Sequence, residues 1–360
     1  MNKIFRYLLC GLVLLELLPL NAQERMISMQ GSYQSWQMDQ WSVYQVAAPI
    51  EVYLPFNRAF SMYMMGGAAS INGSDIFRMT DITDIQVGLN YHLTENNLLF
   101  SLGLNLPTGK HNLSSAEIVA VSQTSAAYTN FFLPNIGQGF NVSPGITWVQ
   151  PFSDQVVFGL GLGYQYKGGY QFYDESTEDI VPGDEVMVTG GLDIKTGPLS
   201  SLSFDVVFSN YAADKYGTQE IYKSGNKIVL SSQFKQYFGF NHLWMQLRFR
   251  SKTKGMVMED PNDPNTNLIE ESVRTYPDQI EWMGLYRIHH PKGHYYGIWA
   301  EFRDYMDPVK FMLFGIGFVP EFKLSDNVMM PMRIKIKTGS VDGGDTVTGF
   351  ELGAGIKAKF

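Results

Sequence analysis

Residues 155–167 alternate without a break. Val156, Phe158, Leu160, Leu162, Tyr164 and Tyr166 share one parity, and Gln155, Val157, Gly159, Gly161, Gly163, Gln165 and Lys167 share the other. A repeat of two over a dozen residues is a strand, because successive side chains leave opposite faces of an extended chain. The run Gly159-Leu160-Gly161-Leu162-Gly163 has the letters of a phosphate-cradling turn. Such a turn breaks the alternation and opens a helix. Here the alternation runs straight through, so the glycines belong to one face of a strand. The same pattern recurs near 26–38, 42–54, 59–69, 83–93, 97–107, 139–150, 155–167, 184–196, 200–212, 226–239, 241–253, 278–289, 294–306, 309–322, 327–338 and 347–360. Most of these reach the roughly 9–11 residues with which a tilted strand crosses hydrocarbon.

The connections alternate as well. Pro55–Arg58, Thr94–Asn96, Phe152–Asp154, Gly197–Leu199, Gly239–Phe240, His290–Gly293 and Lys323–Asp326 read as tight turns, whereas 70–82, 108–138, 168–183, 213–225, 254–277 and 339–346 are longer. Short turns at one end and long loops at the other are the pattern of a membrane barrel. Lipid supplies no hydrogen-bond partner, so an open sheet edge is not viable there and the strands must close into a ring. The expected fold is therefore all-β: a transmembrane, antiparallel, up-and-down β-barrel of about 14–16 strands with a short helix in an outer loop. The lower count applies if the first one or two segments form a lumenal N-terminal piece. In the last segment Phe350, Leu352, Ala354, Ile356, Ala358 and Phe360 share the lipid parity, and Gly349, Glu351, Gly353, Gly355, Lys357 and Lys359 the interior one. A soluble sandwich would show shorter strands, more even loops and no reason to finish on an aromatic. Phe360 resembles the terminal signal read by the outer-membrane assembly machinery, which makes that machinery an expected partner.

Composition sharpens this picture. Lys3 and Arg6 precede an apolar stretch from Tyr7 to Leu20 that only Glu16 interrupts, and Asn21-Ala22-Gln23 offers a small residue before a cut. Residues 1–22 are expected to be a secretory signal peptide and residues 23–360 the barrel. Cys10, the single cysteine, lies inside the apolar stretch rather than after it, which argues against a lipoprotein cysteine, and it leaves with the peptide, so no disulfide is expected. Without that peptide the 27 basic and 35 acidic residues become 25 and 34. A net negative charge excludes the basic patch that nucleic acid requires. No later apolar run approaches the 18 or so residues of a membrane helix. An exported, aromatic-rich chain with 17% charged residues fits the cell outer membrane, with lipid and lipopolysaccharide as surroundings.

Charges on the interior parity are the candidate chemistry. Arg248 and Arg250 alternate with Leu247 and Phe249; Glu281 shares a parity with Arg287, and Glu301 with Arg303; Arg333, Lys335 and Lys337 alternate with Met332, Ile334 and Ile336; Glu351 sits on the last strand. These residues form either a wall of cross-strand ion pairs or a selectivity ring for an anionic solute. The loop 108–138 opens with Ser114-Ser115-Ala116-Glu117, a capping box starting a short apolar helix that carries Ile118 and Val121. Further on come Phe131, Phe132, Leu133 and Pro134. These apolar residues are candidates for first contact with a solute; alternatively, the loop folds into the mouth and plugs it. Two acidic loops, one around Asp174 to Glu185 and one around Glu259 to Glu271, lack calcium-loop spacing. The six histidines are scattered and no serine, histidine and acid fall in a recognisable order. No enzyme, metal or cofactor is expected.

Thr83-Asp84, followed by 97–107 running into Leu106-Pro107-Thr108-Gly109-Lys110, resembles the outer-membrane transporter-like barrels of the phenol-degradation meta-pathway type, relatives of the long-chain fatty acid outer-membrane transporters. The resemblance covers residues 80–200. It implies a barrel that passes small hydrophobic or amphipathic solutes across the outer membrane, with an apolar outer loop making first contact. A general porin and a partner-binding or structural barrel of the secretion machinery or envelope are the alternatives; the Asn-Pro-Ala element of the gliding-associated barrel is absent here.

Overall fold

A computed structural model describes residues 24–39, 41–74, 76–124, 130–131, 137–260, 263, 266–308, 310–342 and 344–360. The expected signal peptide, residues 1–22, lies outside the described residues, as do Phe132 and Leu133. The chain forms one closed antiparallel barrel whose strands are β1 (Met26–Met38), β2 (Trp41–Pro55), β3 (Phe60–Gly73), β4 (Ile76–Ile82 and Ile85–Leu93), β5 (Leu98–Leu106), β6 (Asn141–Pro151), β7 (Val156–Lys167) and β8 (Glu185–Gly197). It continues through β9 (Ser200–Tyr211), β10 (Lys227–Phe238), β11 (Asn241–Lys252), β12 (Gln279–His289), β13 (Tyr295–Tyr305), β14 (Phe311–Phe318 and Glu321–Lys323), β15 (Val328–Val341) and β16 (Asp345–Lys359). Each strand pairs with its neighbour in sequence, and β1 pairs with both β2 and β16 over its whole length. The count is therefore 16. The first segment is wall, because its backbone groups are the partners without which β16 would present a bare edge.

The parity read from sequence separates the two faces. Large apolar side chains such as Leu160, Leu162, Phe204, Val206, Phe314, Ile316, Phe350 and Leu352 are exposed on the outside. On the opposite parity lie Gln34, Gln45, Glu281, Glu301, Arg303, Lys337 and Glu351, all buried within the ring. A seamless ring with an apolar skin satisfies its backbone internally and presents hydrocarbon with hydrocarbon. The chain is a membrane-spanning barrel of the outer-membrane kind.

Two expectations about loops change. Residues 70–82 are not a loop: β3 runs on to Gly73, and Ile76–Ile82 returns against it in the register Ile71↔Met79 and Gly73↔Ile76. The reason is burial, since Ile71, Ile76 and Met79 on this hairpin are all shielded from water. Likewise, β15 and β16 extend to Val341 and Asp345, leaving a three-residue connection. The loops 168–183, 213–225 and 254–277 carry strands of their own. Ile180–Val181, Ala213–Tyr216, Gln219–Lys223, Met256–Met258 and Leu268–Glu270 pair antiparallel as a second, five-stranded sheet.

Candidate functional site: the inner wall and the infolded loop

The segment 107–140 between β5 and β6 starts and ends on one carboxylate. Asp84, in the break of β4, accepts the Gly109 N–H at 2.8 Å, the Gln138 N–H at 2.7 Å and the Asn105 side-chain amide at 2.7 Å. Beside it the Thr108 hydroxyl donates to the Thr83 carbonyl at 3.0 Å and accepts the Ile85 N–H at 3.0 Å. Gly109 and Gly137 are pressed together over this carboxylate; a Cβ on Gly137 would stand 2.6 Å from the Gly109 carbonyl oxygen. The Thr83-Asp84 and Leu106-Pro107-Thr108-Gly109-Lys110 stretches thus form one clasp that gathers both ends of the loop.

Beyond the clasp, α1 (Ser115–Thr124) begins on the capping box. Glu117 accepts the Ser114 N–H at 2.9 Å and pairs with Lys110 at 2.5 Å. Burial alone raises the Glu117 carboxyl, but Lys110 and Ser114 outweigh it and hold the carboxyl below its ordinary value. The helix does not stand above the rim. Ala120 and Phe131 pack into a cluster with Trp36, Val43, Ile71, Ile76, Tyr305, Phe311, Leu313 and Val347, all on the inner parity. Gln34 of β1 also donates to the Asn130 carbonyl at 3.3 Å. Of the apolar residues singled out in this loop, Ile118, Val121 and Phe131 are half-buried. Val119, which the sequence did not single out, is 52% exposed.

Below this cluster the inner charges form a network across β11, β12, β13, β15 and β16. Arg248 Nε donates to Glu281 at 2.7 Å, and the Tyr305 hydroxyl donates to the other Glu281 oxygen at 3.3 Å. Arg303 pairs with Glu301 at 3.0 Å. Lys337 stands between Glu301 and Glu351, 3.4 Å from each. Glu351 also takes Arg333 at 3.0 Å and Lys335 at 3.3 Å. Five cations therefore share three carboxylates. Outside the network Arg250 donates to Gln279 at 3.0 Å and Arg287 to Glu321 at 3.2 Å. Glycines make the space for these long side chains. A Cβ at Gly315 would stand 2.9 Å from the Glu301 side chain, at Gly349 2.8 Å from the Trp36 ring, and at Gly353 2.7 Å from Arg333 Nε.

The other side of the ring is lined differently. One register row reads Val149↔Gly159↔Gly191↔Asp205↔Ser231↔Arg248↔Glu281↔Arg303↔Leu313 from β6 round to β14. Through β7 to β10 it is glycine, aspartate and serine; from β11 to β13 it is long and charged, and on β14 it ends on buried Leu313. Asp205 in mid-strand is exposed, whereas Glu301 and Glu351 in mid-strand are buried. The opening glycine run lies here: a Cβ on Gly159 would meet only the Trp148 carbonyl, at 3.8 Å.

No protein-family model matches the chain, and no curated protein matches it in sequence. Solved structures of similar shape include Pseudomonas aeruginosa OccK5 (OpdH), with 10% identity, 95% of this chain and 99% of that one covered and a TM-score of 0.48. The CymD monoaromatic hydrocarbon channel aligns with 10% identity over 94% of this chain and 89% of its own, at a TM-score of 0.47. A mutant of the Rhodopseudomonas blastica porin aligns with 12% identity over 93% and 100%, at 0.41.

The wall residues that sequence reasoning passed over are instructive. Trp36, Gln34 and Gln45 sit deep in the packed side; their shared parity in 26–38 and 42–54 was the available signal. Asp84 carried no signal beyond its neighbour Thr83, since its three partners lie 21, 25 and 54 residues away.

Proposed function

We propose that this barrel is an outer-membrane channel for small, hydrophobic or amphipathic solutes. One observation carries the reading: the infolded loop and the charged network fill one side of the interior, while the side lined by Gly159, Gly191 and Ser231 keeps Asp205 open to water. A long loop held at both ends by a buried carboxylate narrows the bore without closing it, and half-buried Ile118, Val121 and Phe131 give the narrowed mouth an apolar lining. The role of Phe132 and Leu133 in first contact with the solute is part of the same reading. Arg248, Arg250, Glu281, Arg287, Glu301, Arg303, Arg333, Lys335 and Glu351 brace the wall, and their cationic excess biases the bore toward anions. The clasp between Thr83-Asp84 and Leu106-Pro107-Thr108-Gly109-Lys110 is consistent with kinship to the phenol-degradation meta-pathway barrels. Purified protein in planar bilayers tests the reading. Small unitary conductance that increases when Gly109–Gln138 is replaced by a short glycine-serine turn is the expected result. Absence of any conductance or liposome swelling, with and without that loop, overturns it.

A second reading, a partner-binding barrel, draws on the second, five-stranded sheet and the turn that follows it, where Ile269 on the sheet and Val273 and Tyr276 in the turn are exposed. A stoichiometric partner that co-purifies and is lost on Val273→Asp would favour it.

A further inference from the structure

The described interior holds a cavity of about 240 Å³ toward the short-turn end, lined from β12 through β16 to β1. Its lining is divided. Leu285, Trp299 and Val319 supply an apolar side, and Arg287, Arg333 and Lys335 a cationic one; Glu321 is the carboxylate in the lining, and Glu351, behind it, pairs with Arg333 and Lys335. Glu321 is engaged by Arg287 Nη2 at 3.2 Å, and the buried Nε of Arg287 has no hydrogen-bond partner. An unsatisfied buried donor on a guanidinium is costly, and a guanidinium presents its donors in the fork that matches a carboxylate. Lys335 holds its ammonium 4.0 Å from the centre of the Trp299 ring, so charge and aromatic surface adjoin at the division. The volume lies below the usual range for drug-sized ligands, roughly 300–1,000 Å³, which limits the occupant to one small ring or a short chain.

We propose that this cavity is a binding site for a small amphipathic carboxylate. Its carboxylate lies between Arg287, Arg333 and Lys335, and its apolar body lies against Leu285, Trp299 and Val319. The site rests on the channel reading above and gives it a substrate class. Placed beyond the infolded loop and next to the short turns, it is the last station before a solute leaves the bore.

Isothermal titration of the full chain in detergent with sodium benzoate tests the site. Saturable, one-to-one binding is expected, with benzyl alcohol, the uncharged ring of similar size, binding at least roughly ten-fold more weakly. Arg287→Gln should weaken benzoate about ten-fold, as expected for loss of one charge-assisted pair. Glu321→Gln removes the competing carboxylate and should tighten benzoate, and a gain of binding is a result that misfolding does not produce. Equal binding of benzoate and benzyl alcohol, displacement of benzoate by chloride at equal concentration, or no change in either variant overturns the proposal. Benzoate binding with this pattern in a barrel that conducts nothing would leave the site standing and bring down the channel reading. Conductance without benzoate binding would do the reverse.

Discussion

Asp205 and Glu351 are both carboxylates at the middle of a strand on the inner parity, yet they live in different media. Glu351 is 2% exposed and holds three cations, while Asp205 is open to water. The difference comes from what stands opposite each. Around Glu351, β13 to β16 and β1 to β3 carry long side chains that interlock over glycines, and α1 and Phe131 cover them from the long-loop end. Around Asp205, its register partners on β8 and β10 are the short residues Gly191 and Ser231, and Ser231 hydrogen-bonds to it without covering it. One side of the ring is thus built as a protein core and the other as the bank of a water-filled bore. The comparison teaches that in this barrel the same residue, glycine, serves opposite ends: at Gly349 it admits the Trp36 ring, and at Gly159 on β7 it leaves space open.

The largest test is the shared carboxylate. Glu351→Ala takes the carboxylate from Arg333 and Lys335 in a buried setting, leaving Lys337 with Glu301 alone, and should cost about 3–5 kcal/mol of stability, read by urea unfolding in lipid vesicles. Asp205→Ala should stay within about 0.5 kcal/mol, as a water-exposed site does. Equal losses at both positions would erase the distinction between the two sides. Valine scanning of the glycines is the next step. Gly349→Val drives its Cβ against the Trp36 ring, 2.8 Å away, and overpacking of this kind costs about 1–3 kcal/mol. Gly159→Val meets open space and should change stability by no more than about 0.5 kcal/mol while lowering single-channel conductance. The opposite pattern would exchange the roles assigned to the two sides.

Asp84→Asn sharpens the comparison at the loop. An amide replaces one acceptor oxygen with a donor facing the N–H of Gly109 or Gln138, at a cost of about 1–3 kcal/mol for the unmade bond. The loop should become susceptible to protease between residues 109 and 138, and conductance should become noisier. An unchanged cleavage pattern would show that the apolar cluster alone keeps the loop inside. The smallest effect is that of pH on Glu117. Because its folded value is depressed, its stabilising contribution is fully present above the unfolded carboxylate value and is lost as pH falls through the depressed one. Protease access to α1 should therefore rise on acidification over that window, and Lys110→Met should move the window upward. If the profile with Lys110→Met stays where it was, the Lys110 pair is not what holds the carboxyl down.

Strand positions, the short-turn end and the face of each side chain could be read directly along the chain, because lipid on one side and water or packed polar groups on the other impose a period of two that needs no tertiary information. Two hairpin tips, at 70–82 and 339–346, are strand where the pattern predicts loop. There the alternation continues past the membrane, and the reason, burial against an infolded loop, comes from a segment far along the chain. The helix start at Ser114 was legible from its capping box, since that motif is completed within four residues. Where the helix goes was not.

Alternation by itself determined that this chain closes into a barrel and which residues look inward, since a backbone in hydrocarbon has no other way to pair every donor and acceptor. Which inward residues share a carboxylate, which side of the bore stays wet and how Asp84 gathers a loop from 25 and 54 residues away were decided only by closure, because register places side by side strands whose sequence separation carries no record of the meeting.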